Sequence, residues 1–188
     1  MPSFDKTLFK YTSLFCEENI WKLIETLNQD TSIKPVDTLF ILNQTNTVAL
    51  FNQEKALNNT PVIWDYHVIL SAEIDNELFI FDFDSHCDFP VSIREYFNKT
   101  FIQEDKLKQQ YRPLLKVIDA FYYLNHFSSD RSHMLGIIPE SEFPDYTIIQ
   151  PKQHSALTLE SCRKIPSTQC NQEILTTMNY LNKALPKR

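Results

Sequence analysis

Glycine is almost missing from this chain: Gly136 is the single one in 188 residues. Glycine-rich phosphate loops and dinucleotide fingerprints need several glycines at fixed spacing, so P-loop nucleotide hydrolases and Rossmann dehydrogenases are excluded. No apolar run approaches the length needed to span a bilayer. The opening MPSFDKTLFKYTSLF lacks the apolar centre of a secretory signal. Positive charge is also in deficit, with a net charge of −6, where a nucleic-acid binder normally shows a basic face. The expectation is a protein of the cytoplasm, and possibly of the nucleus, that binds neither nucleic acid nor membrane. Its four cysteines would be reduced there, so their even number does not imply a disulfide framework. The Asn-x-Thr sequons at Asn43, Asn58 and Asn98 then read as chance matches.

Apolar and aromatic residues are plentiful. The hydrophobic fraction is 43%, with 14 Phe and 8 Tyr, enough for one domain over residues 1–188 to bury its own core. Residues 14–28 read as a helix, with Ile20, Leu23, Ile24 and Leu27 at helical spacing. Thr12 or Ser13 would cap it, and Glu17 and Glu18 occupy its first turn. Residues 38–42 and 47–51 read as a hairpin across Asn-Gln-Thr-Asn. Residues 61–71 and 77–84 carry the strongest strand signals. Helices are expected over 91–98, 104–110 and 171–184, a strand over 114–118, a helix turning into a loop over 119–127, and irregular chain over 129–155. The mixture predicts an α+β domain with an antiparallel sheet.

Cys16 stands where that first helix begins. Backbone N–H groups and the helix dipole favour a thiolate there and can hold an oxyanion. The competing reading is a small buried hydrophobe. A nucleophilic thiol also needs a base and a group that orients the base. A turn centred between Ile74 and Asp75 would set Leu70 opposite Phe79, Ile69 opposite Ile80 and His67 opposite Asp82, on one face. Asp82 would then fix the His67 tautomer, although a core histidine satisfied by a carboxylate would look the same. His86 and Cys87 with Cys162 and Cys170 match no common zinc-finger spacing. No metal or other cofactor is expected.

Four blocks go further: YTSLFCEENIWKL (11–23), PVIWDYHVIL (61–70), FIFDFDSHCDFP (79–90) and SDRSHM (129–134). They resemble the protein N-terminal glutamine amidohydrolase family in content and order, over roughly residues 8–150. The resemblance implies a papain/transglutaminase-like cysteine hydrolase fold, with the sheet packed on the helix that bears the nucleophile. It also implies a monomer without a cofactor, acting on proteins or peptides that begin with glutamine. It carries the nucleophile onto Cys16, the base onto His67 and the orienting carboxylate onto Asp82. The reaction implied is deamidation of N-terminal glutamine to glutamate in the N-degron pathway. Phe15, Phe81 and Phe83 stand where members often have Tyr, Tyr and Leu, and the tail from about 151 departs from the ending of animal members. Recognition of a free α-ammonium calls for a carboxylate, and Glu18, Asp65 and Asp84 flank the triad. Arg131 and His133 suit loop-tying ion pairs, and Trp64 suits the core. Three other readings stay open: a papain-like protease, a transglutaminase, or a module that binds protein N-termini without turning them over.

Overall fold

The computed structural model describes residues 4–153, 157–165 and 172–185. Helix α1 runs Cys16–Leu27, starting at the cysteine itself. Its apolar stripe is buried as its spacing requires, with Ile20, Leu23, Ile24 and Leu27 all inside. Neither Thr12 nor Ser13 caps it: Phe15 is the N-cap residue, without a side-chain cap bond. The entry loop is held instead by Asn19, whose side chain accepts from Thr12 N–H and donates to Thr12 O, both at 2.8 Å.

The strands are β1 Ile33–Leu42, β2 Val48–Leu50, β3 Val62–Trp64, β4 His67–Ile74, β5 Glu77–Phe81 and β6 Val91–Ser92. Then come α2 Ile93–Thr100, β7 Leu114–Asp119, α3 Ala120–His126 and β8 Phe127–Ser128. Beyond these lie β9 Leu157–Thr158, α4 Leu159–Arg163, β10 Gln172–Thr176 and α5 Thr177–Ala184. The main sheet has the order β10-β7-β1-β4-β5-β6, with every pairing antiparallel. The fold is therefore mixed α+β around an antiparallel sheet, as the sequence pattern indicates.

Several local expectations fail. β1 and β2 are not a hairpin: β1 lies between β4 and β7, and β2 pairs with β3. The segment 61–71 is not one strand, because the chain leaves the β2–β3 pair after Trp64 and enters the main sheet at His67. Residues 104–110 form two short 3-10 turns. The expected final helix is half strand, since residues 172–176 pair with β7 and complete the sheet edge. Long-range pairing decided the strand outcomes, which local propensity does not encode.

The sheet is covered on both faces. On one, α1 and α3 pack over Phe40, Leu42, Val68, Leu70 and Phe81, with the Trp21 indole donating to Leu124 O at 3.1 Å. On the other, α2 and α5 bury Tyr96, Phe97 and Tyr180 against Leu39, Ile41, Ile69 and Ile80. Lys116 is a buried lysine on β7 whose ammonium donates to Ser161 O at 2.7 Å and Lys164 O at 2.9 Å. It thereby ties α4 to the sheet.

Candidate active site

The β4–β5 turn consists of Asp75 and Asn76, both left-handed at φ 52° and 62°. This places Leu70 opposite Phe81 and Ile74 opposite Glu77, two residues from the expected register. Side chains alternate with period two, so a two-residue shift leaves each on its expected face. His67 and Asp82 therefore stay on one face as diagonal neighbours. They meet where the β4–β5 ladder stops, with His67 Nε2 2.8 Å from Asp82 Oδ1 and both side chains buried.

Asp82 is thoroughly satisfied. Oδ1 also accepts from Asp84 N–H at 3.0 Å. Oδ2 accepts from Tyr96 of α2 at 2.8 Å and from Gln53 at 3.3 Å. Burial raises its carboxyl, but His67 and these donors outweigh it and hold it below the usual carboxylate range. A carboxylate only accepts, so Nε2 carries the proton and Nδ1 keeps a lone pair. Nδ1 is buried without a hydrogen-bond partner. Burial lowers the ring's affinity for a proton, yet the charge and hydrogen bond of Asp82, with Asp84 behind it, leave His67 raised. Trp64 stacks on the imidazole, centroids 5.1 Å apart and planes 19° apart. It is a wall of the site as well as a packing residue.

Cys16 approaches from the opposite face. It is partly open to solvent, and the backbone of Val68, next to His67, favours its thiolate. The thiol donates to Glu17 Oε2 at 3.7 Å. The resting thiol is not acidified as a helix start alone would suggest: burial, then Glu17 and Asp84, push it well above its ordinary value. Glu17 itself is fully buried and bonded by Tyr66 at 2.9 Å.

The three carboxylates expected to bind an ammonium separate clearly. Glu18 is engaged: Arg131 holds both its oxygens at 3.0 and 2.9 Å and Ser129 adds a third donor at 2.7 Å. This is the tying role the sequence suggested for Arg131. Asp65 is exposed and pairs with Arg163 at 3.1 Å. Asp84 stays with the site, accepting from Tyr11 at 2.8 Å. Its carboxylate, with His67 and Asp82, offers donor atoms within 4.8 Å of one another. That spacing suits a cation, but the histidine nitrogen in it is committed to Asp82. Of the other imagined zinc ligands, Cys87 accepts from Asn52 at 3.1 Å, and Cys170 lies outside the described residues.

Sequence reasoning missed Gln53, Tyr96, Tyr66 and Glu17. The first two come from a loop and a helix with no local mark of their role. Glu17 carried one, an acid directly beside the candidate thiol.

A half-buried thiol at a helix start and a buried imidazole–carboxylate pair at a sheet end, carried on one α+β domain, are groups that thiol chemistry uses. Residues 11–182 match the model of the N-terminal glutamine amidase family. The chain belongs to that family. It is 40% identical to a protein N-terminal glutamine amidohydrolase of Danio rerio over 66% of this chain and 63% of that protein. The Caenorhabditis briggsae relative is 37% identical over 78% and 80% of the two chains. The Homo sapiens relative is 39% identical over 66% and 62%. The aligned part thus spans about three fifths of the fish and human proteins.

Proposed function

We propose that this protein removes the side-chain amide of an N-terminal glutamine, leaving glutamate and ammonia, with Cys16 as nucleophile, His67 as base and Asp82 as the residue that positions it. The observation that carries the reading is the buried pair of His67 and Asp82, 2.8 Å apart, which leaves Nδ1 of the ring without a hydrogen-bond partner. Sγ and Nδ1 are not hydrogen-bonded in the unliganded site, and such contacts commonly tighten only when substrate arrives.

In this mechanism Nδ1 takes the thiol proton as sulfur attacks the amide carbon. The oxyanion is held by the backbone N–H of Cys16, unpaired at the start of α1, and by a second donor. The imidazolium then gives its proton to the departing ammonia, leaving a thioester. Water, deprotonated by the same nitrogen, displaces the sulfur and yields glutamate. Asp82 stabilises the imidazolium throughout. The layout, a helix-start thiol facing a sheet-borne imidazole, is that of papain- and transglutaminase-like hydrolases. The relatives' names support the choice of substrate, and a terminal glutamate made in the cytoplasm or nucleus by a monomer of this kind would enter an N-degron pathway.

The test is ammonia release from a short peptide that begins with glutamine and carries a second glutamine inside. Only the terminal residue should be converted, without peptide cleavage. Cys16→Ala should lose activity by a factor on the order of 10⁴. Retention of most of the activity, or equal conversion of the internal glutamine, would contradict the proposal.

A further inference from the structure

The two oxygens of the buried Glu17 side chain differ. Oε2 accepts from Tyr66 at 2.9 Å and lies 3.7 Å from Cys16 Sγ. Oε1 has no hydrogen-bond partner. The group that faces it is His133 Nε2, 3.4 Å away and itself without a hydrogen bond. A buried carboxylate oxygen without a donor is costly. Glu18, one residue on, shows the alternative, with an arginine on both oxygens. On its outer side, His133 lines a cavity of about 680 Å³, together with Ser129, Asp130, Ser132 and Arg163.

We propose that Glu17 receives the α-ammonium of the substrate, displacing His133, while the chain that follows the terminal glutamine lies in the adjoining cavity. The proposal rests on the deamidase reading and adds the group that restricts it to chain termini. The reach is right. A glutamine's side-chain carbonyl carbon is four bonds from its α-nitrogen. A sulfur poised at about 3–3.5 Å from that carbon and an ammonium–carboxylate contact of about 2.8 Å can close on Oε1, the neighbour of an oxygen that lies 3.7 Å from the sulfur. Asp65 faces solvent with its own arginine, and Asp84 serves the imidazole side of the site. The same contact has a second effect. A cation on Glu17 offsets a carboxylate that disfavours the Cys16 thiolate, so a correct substrate helps ionise the nucleophile.

A cycle of protein and substrate changes tests this. Wild type and Glu17→Gln are each assayed with a glutamine-initiated peptide and with its desamino analogue, in which hydrogen replaces the α-amine. The amide introduced at position 17 keeps an oxygen for Tyr66. Wild type should lose about 10- to 100-fold in kcat/KM when the amine is removed. Glu17→Gln should lose a similar factor on the amine-bearing peptide and little more on the analogue. Glu17→Asp should recover part of the preference. A purely structural Glu17 would depress both peptides equally, and that result overturns the proposal. If Glu17→Gln does not fold, His133→Ala carries the test: opening the approach to Oε1 should lower KM for the amine-bearing peptide alone, and an equal change for both overturns it. Wild type that converts no glutamine peptide would defeat the deamidase reading itself. Wild type that converts it, with an unaltered amine preference in Glu17→Gln, defeats only this inference.

Discussion

Asp82 is the residue on which the site turns. It gathers His67, Tyr96, Gln53 and a backbone N–H around one buried carboxylate. Its pKa is depressed from the ordinary 3.8, so the stability it contributes is present above that value and lost on acidification through the depressed one. The His67 pKa is raised from the ordinary 6.5. Its contribution is therefore complete below 6.5 and lost as pH climbs through the raised value. Both hold together between about pH 4 and 6.5. Asp82→Asn should cost roughly 3–5 kcal/mol in that window, as expected for breaking a buried pair from one side, and less on either flank. Urea denaturation of both proteins across pH checks this, and a pH-independent difference would contradict it.

At the scale of elements, the two-residue β4–β5 turn decides how the active face is presented. Asp75 and Asn76 both sit at positive φ, the requirement of the hairpin turn for which an Asp-Gly or Asn-Gly pair is best suited. Asn76→Gly should stabilise by a few tenths to about 1 kcal/mol without changing turnover. Thermal melts and an ammonia assay measure both, and a lower melting temperature would contradict the assigned turn strain. The same hairpin shows why part of the site was legible in sequence. The expected register was off by two residues, but a period-two element forgives a shift of two, so His67 and Asp82 still shared a face. The α1 stripe was legible because helical spacing is local. The β2–β3 pairing, the strand at 172–176, and the convergence of Gln53 and Tyr96 on Asp82 were not. Each joins residues distant in sequence, and neither partner carries a local sign of the other.

For the molecule as a whole, the sheet is covered on both faces, and the residues of the proposed site come from both. α1 brings the thiol from one face, while His67 and Asp82 lie on the other, braced by Tyr96 of α2. The β4–β5 pairing stops at Leu70 and Phe81, short of His67 and Asp82. Among the described residues no helix is long and apolar enough to cross a membrane. The central claim is that Cys16 forms a thioester with the side chain of a terminal glutamine. Acid quench of a single turnover, followed by mass spectrometry of the Cys16-containing fragment, tests it most directly. The account predicts a transient adduct on Cys16 with the mass of the peptide less ammonia, absent with the desamidated product's N-acetyl analogue. An adduct on another residue, or full turnover with Cys16 never modified, would contradict it.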